Sequence, residues 1–200
     1  MGAPSTGAGR GVTRFVDRGA IVAAYVGIGM AAVIAISFLL VIPIEIVFLV
    51  LGFPAGLLIG YYADARSERW AGPWGRILAN GLFAAAVTAA TMALLYLGVK
   101  ALFFYADDGY RDASLGPPLA CSPGADCVYA RYRQDPELGP RLEAAGVTGV
   151  ASFTTFYWSE QLSNAGYVAI LTIVGGIGGA LAYGVTRPGS RRPDPAGDPA

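Results

Sequence analysis

Residues 20–61 read AIVAAYVGIGMAAVIAISFLLVIPIEIVFLVLGFPAGLLIGY, and Glu45 is the one formally charged side chain among those forty-two positions. A helix needs about 20 apolar residues to cross a bilayer, so this run holds two spans with almost nothing between them. Pro43 and Glu45 mark the turn. The stretch predicts a hairpin of two membrane helices, at about 20–42 and 45–62.

Two further apolar blocks follow, at about 77–103 and 164–186. The expected fold class is an all-α integral membrane protein, a four-transmembrane-helix bundle with a large extracytoplasmic loop between helices 3 and 4. Residues 1–19 form a basic cytoplasmic tail, 20–105 carry helices 1–3, 106–163 make the outer region, and 187–200 are a disordered cytoplasmic tail. A signal peptide is the competing reading of the first block. Its apolar core would run 7–15 residues before a small-residue cleavage site; this run is longer and has no A-x-A site, so it is read as a retained span.

Composition narrows the function. Apolar residues make up 54% of the chain and charged residues 14%, about half the charged share of a soluble domain. The apolar residues lie in unbroken blocks, so the bilayer is the simpler solvent. Net charge is zero, with no basic excess to suggest nucleic acid. The chain has no histidine. That excludes, within this chain, histidine-ligated haem, Ser-His-Asp chemistry and a histidine pH switch. Two cysteines are too few to build a zinc or iron–sulfur site alone. No catalytic, cofactor or metal motif stands out, and no cofactor is expected.

Small residues recur every four positions on all the spans. Ala23, Gly27, Ala31 and Ala35 line the first; Gly52, Gly56 and Gly60 form GxxxGxxxG on the second, with Pro54 among them; Gly81, Ala85 and Ala89 mark the third; Gly175 and Gly179 mark the fourth. Such faces let backbones approach where lipid removes the hydrophobic force. Packing within one chain is the first expectation, a homodimer seam the second.

Charge sets the orientation. Four spans put both termini on one side, which carries nine arginines: Arg10, Arg14, Arg18, Arg66, Arg69, Arg76, Arg187, Arg191 and Arg192. The other side carries Arg111, Arg131, Arg133, Arg141 and Lys100 over a much longer loop. The positive-inside rule puts the termini in the cytoplasm. Thirteen arginines against one lysine, in an Ala/Gly-rich chain, suit a high-GC bacterium and so a plasma (inner) membrane.

The outer region is dense in Pro and Gly, so loops are expected, with one short helix near 135–146. Its later part carries Phe153, Phe156, Tyr157 and Trp158, expected as a short helix lying in the interface or facing a partner. Cys121 and Cys127 frame CSPGADC. An oxidising compartment favours a structural disulfide here, and so short a loop gains about 2 kcal/mol. A thiol-redox pair is the rival reading, though C-x-x-C spacing would suit it better.

Polar groups in the apolar blocks are candidate functional residues. Glu45 falls at the outer turn, where water can solvate it; otherwise it would bind a cation, carry a proton or pair with Lys100. Asn80, Thr88 and Thr91 share a face of the third span. Interhelical hydrogen bonding is their expected use, a transport pathway the alternative.

The span order resembles tetraspanins in architecture alone, with a short first outer loop and a large cysteine-bearing second one. Cys121-Ser122-Pro123 stands where Cys-Cys-Gly would be wanted, and no residue role is carried over. The functional expectation is an accessory, assembly or scaffold subunit of a membrane complex, in contact with the bilayer and with a membrane-protein partner or its own copies. The alternatives are an oligomeric transporter or channel using Glu45 or the third-span polar residues, and a membrane enzyme, either thiol-redox through Cys121 and Cys127 or lipid-modifying.

Overall fold

A computed structural model describes residues 16–40, 44–67, 72–106 and 121–186, with side chains throughout except at 38–40, 44–47 and 49. The expected turn at Pro43, both tails, the loop residues 68–71 and the first part of the outer region (107–120) lie outside the described residues, as does the side chain of Glu45.

Six helices are present among the described residues: α1 (Arg18–Leu40), α2 (Ile44–Ala65), α3 (Trp74–Ala106), α4 (Ala125–Gln134), α5 (Leu138–Ala144) and α6 (Val150–Thr186). Three of them, α1, α3 and α6, are long and apolar enough to cross a membrane, and α2 carries an apolar stretch over Val50–Ala65. The long helices form a bundle in which α2 packs most extensively on α6, α3 also packs on α6, and α1 lies against α3 and α2. Helices α2 and α3 also touch, so they make the short diagonal of the bundle.

The distribution of side-chain size is inverted relative to a soluble protein. Alanines fill the interior, among them Ala20, Ala23, Ala31, Ala35, Ala84, Ala85, Ala89 and Ala180. Large apolar side chains point outwards: Val33, Ile36, Val50, Leu58, Leu94, Tyr167, Ile170 and Val185 are all more than half exposed. A soluble chain would bury these and expose polar groups. Here the helices associate through close backbone contact, which small residues allow.

Contact is tightest between α2 and α6. A Cβ placed on Gly56 would collide with the Thr172 carbonyl, and one on Gly60 with the Gly176 carbonyl. In return, a Cβ on Gly175 would meet the Phe53 carbonyl, and one on Gly179 the Leu57 carbonyl. Gly52 is looser, its Cβ position 3.3 Å from Thr172 Oγ1. The glycine face of α2 is thus filled by α6 of the same chain, which leaves it unavailable as a homodimer seam. On the far side, Gly27 of α1 abuts the Thr88 side chain of α3. Helix α2 continues through Pro54; the proline lacks an N–H and so leaves one turn without its hydrogen bond.

Two boundaries differ from the sequence expectation. Residues 121–149 hold two short helices, α4 and α5, where one was expected near 135–146. Pro136 separates them, and Asp135 Oδ1 accepts the backbone N–H groups of Glu137 and Leu138 at 2.8 and 2.7 Å, starting α5. The aromatic segment after Val150 is also not a separate interfacial helix. It forms the first turns of α6, which runs 37 residues without a break. At 1.5 Å per residue this is about 55 Å, well beyond the ~30 Å of a bilayer's hydrocarbon core.

Gly60→Leu and Gly176→Leu are expected to destabilise the bundle by about 3 kcal/mol or more, since one meets the Gly176 carbonyl and the other the Ala85 Cβ, and no rotamer change moves either. Gly98→Leu, where a Cβ meets open space, is expected to be close to neutral. Unfolding transitions of the three variants in one detergent check the contrast.

Candidate functional site

Two clusters of side chains sit at opposite ends of the bundle. The first lies where α1 and α3 begin and α2 ends. The apolar run of α2 stops at Tyr62; Asp64 follows two residues later, and Ser67 just past the helix end. Asp17 precedes the first turn of α1, and Arg76 lies in the first turn of α3, with Asn80 one turn further in.

Asn80 is the hub, and it is only 1% exposed. Its Oδ1 accepts the backbone N–H of Asp17 at 2.9 Å. Its Nδ2 donates to Asp17 Oδ2 at 3.3 Å and to Asp64 Oδ1 at 3.2 Å. Ser67 Oγ donates to Asp17 Oδ2 at 2.6 Å, and Arg76 Nη1 lies 3.6 Å from Asp17 Oδ1. One amide thus joins three helices. The backbone fits the same junction: Gly19 lies so close to Arg66 and Ser67 that a Cβ there would clash with their main chain.

Asp64 is the group this network leaves incomplete. It is 1% exposed, and its Oδ2 has no hydrogen-bond partner. Burial pushes its carboxyl up to about 7; the Asn80 hydrogen bond opposes the rise and the neighbouring Asp17 adds to it. A buried carboxylate oxygen without a donor is costly when charged.

The second cluster caps the other end. Phe104, at the end of α3, packs on Tyr157 and Trp158 of α6 with ring centroids 4.7 and 5.6 Å away. Phe153 of α6 meets Tyr129 and Tyr132 of α4 at 5.2 and 5.1 Å. Leu142 of α5 is buried in the same cluster, and Arg141 forms an ion pair with Glu160 at 2.9 Å. Cys121 and Cys127 stand at disulfide distance just ahead of and within α4, their Cα atoms 5.5 Å apart. Beneath the cap, Tyr96 OH donates to Gln161 Oε1 at 2.7 Å, both residues buried.

These placements revise several sequence expectations. Of the four aromatic residues expected on an interfacial or partner surface, Phe153 and Tyr157 are buried inside the cap, because α6 runs through it as a continuous helix. Phe156 and Trp158 remain partly exposed. Lys100 holds its ammonium 5.6 Å from the centre of the Tyr96 ring. Asn80, Thr88 and Thr91 do not act as one stripe. Asn80 serves the junction, Thr88 is fully buried and donates to the Ala84 carbonyl at 2.9 Å, and Thr91 donates to that of Val87 at 2.9 Å.

Asp17, Asp64, Ser67 and Arg76 were not singled out by sequence reasoning as a site. Asp17 falls within the basic tail, residues 1–19, and Asp64 between the apolar blocks at about 45–62 and 77–103. One signal was available: two acids within a turn of span ends, on the side otherwise rich in arginine. Among the described residues no group of three or more His, Cys, Asp or Glu side chains is arranged to hold a metal ion. Compared with protein-family models, curated proteins and solved structures, the chain matches none.

Asn80→Ala removes the acceptor for the Asp17 N–H and the donor for Asp64 Oδ1 together. It is expected to cost about 3 kcal/mol, the scale for leaving buried polar groups unpaired. Thr91→Val, which deletes a hydroxyl bonded only along its own helix, is expected to stay within about 1 kcal/mol of the parent. Equilibrium unfolding in detergent micelles checks both.

Proposed function

We propose that the chain is a four-span protein of the plasma membrane, acting as an accessory, assembly or scaffold subunit of a membrane complex. In this reading residues 45–62 of α2 are the fourth span, both termini are cytoplasmic, and the α4–α5 cap is outside. The arginines at 10, 14, 18, 66, 69, 76, 187, 191 and 192 support that orientation. The outward Val, Ile and Leu side chains are then the lipid contact.

One observation carries the functional reading. The polar side chains that would serve a pathway along α3 are used up inside the monomer: Asn80 joins three helices, Thr88 is buried against Gly27, and the α2–α6 seam is closed by backbone contact. What remains for recognition is the cap. Tyr105 is 58% exposed there and packs on Trp158 with ring centroids 6.1 Å apart. Aromatic side chains on a rigid support are the residue types that dominate binding energy at protein interfaces. The Arg141–Glu160 pair joins α5 to α6 beside them.

Gentle solubilisation of native membrane and capture through a C-terminal tag are expected to yield a complex heavier than the monomer, with other membrane proteins in fixed ratio. Tyr105→Ala, at the exposed ring, is expected to weaken the hold on those partners while the monomer's unfolding transition stays close to the parent's. A symmetric homo-oligomer that moves a solute across liposomes would replace this reading with the transporter, and Glu45 would then be the residue to vary.

A further inference from the structure

We propose that Asp64 Oδ2 binds one exchangeable proton at the arginine-rich end of the bundle, and that this proton fastens the start of α1 to α2 and α3. The argument begins with charge. Asp17 and Asp64 both receive hydrogen bonds from a single Asn80 Nδ2, at 3.3 and 3.2 Å. Their accepting oxygens therefore lie no more than 6.5 Å apart, the sum of those two distances. From α3, Arg76 faces Asp17 at 3.6 Å. On α2 itself, Arg66 Nε donates to Tyr62 OH at 3.2 Å at an exposed position, so that pair is engaged outside the junction. From α6, Tyr183 packs edge-on against Tyr61. Arg18, the first residue of α1, is exposed.

With a proton on Asp64, the described residues of the junction pair one carboxylate, Asp17, with one guanidinium, Arg76. The proton comes from water on that face; the O–H bond forms at Oδ2, and no other bond changes. Without it, two carboxylates share one amide in a buried space, and Asp64 Oδ2 has no hydrogen-bond donor. The repulsion is relieved most easily by the element held least. Asp64 and Asn80 sit within helices packed on three or more neighbours, whereas Asp17 lies on the turn before α1, which packs on two. Its withdrawal would break the Ser67, Asn80 and Arg76 contacts together and lift Gly19 from the end of α2.

The sign follows from linkage. A carboxyl whose pKa is raised from 3.8 to about 7 by folding binds more proton folded than unfolded between those values. Its contribution to stability is complete below about 4, falls as pH rises to about 7, and is flat above.

The test uses the full chain in lipid nanodiscs, with spin labels on Arg18→Cys and Ala65→Cys, both exposed positions. Dipolar spectroscopy is expected to give one narrow distance at pH 5.5 and a broader, longer distribution at pH 8.5. The isosteric variant Asp64→Asn is expected to stay narrow at both, and its unfolding midpoint to lose the decline with pH that the parent shows. An unchanged parent distribution between the two pH values would overturn the proposal. So would an Asp64→Asn variant that keeps the parent's response. Replacing choline by sodium at pH 8.5 separates the remaining possibility: narrowing by sodium would make the occupant a metal cation and overturn the proton assignment, while no effect supports it.

Discussion

Helix α2 lies against α6 with nothing but backbone between them at Gly56, Gly60, Gly175 and Gly179. Much of the remaining architecture depends on that approach. It draws the two helices close enough for α3 to reach α6 as well, where Gly176 abuts Ala85 and Gly81 abuts Ala180. Dispersion between closely apposed main chains is weak per atom and large in sum. In a bilayer it takes over from the hydrophobic effect, which no longer favours helix–helix contact over helix–lipid contact. At the seam large side chains are excluded by lack of room; many cover the outside, while Phe48, Met92 and Tyr96 fill the interior away from it.

The polar junction and the aromatic cap are the complements of this seam. Backbone contact alone leaves helices free to slide or rotate against one another, because carbonyls and small side chains present a nearly uniform surface. Asn80 removes that freedom at one end by hydrogen bonds that hold in a single register. The interlocked rings of Phe104, Phe153 and Tyr157 remove it at the other. Tyr96 and Gln161 add one directional bond near the cap. Specificity is thus concentrated at the two ends, and close packing occupies the length between them.

How much of this the sequence disclosed follows from the kind of signal each feature leaves. Apolar runs and four-residue spacing are local patterns, so the positions of the long helices and their small-residue faces could be read directly; Ala23, Gly27, Ala31 and Ala35 all lie on the buried side of α1. The junction was illegible for the opposite reason. Asp17, Asp64 and Asn80 are separated by up to 63 positions, and each has an ordinary local explanation as a tail, loop or helix residue. The aromatic segment misled in a third way. Phe153, Phe156, Tyr157 and Trp158 carry the composition of an interfacial helix, and composition does not reveal that α3 and α4 bring rings to meet two of them.

The unbroken length of α6 ties the cap to the bundle by phase as well as by contact. Residues 150–164 and the apolar segment after them share one helical screw, so their faces are locked in rotation. One residue inserted or deleted between Tyr157 and Ala165 would turn the cap by about 100° and move it by about 1.5 Å relative to Gly175 and Gly179. Phe153 would then point away from Phe104. The stretch between the two therefore tolerates exchange of side chains far better than a change in their number, although it lies outside the apolar segment and reads as loop.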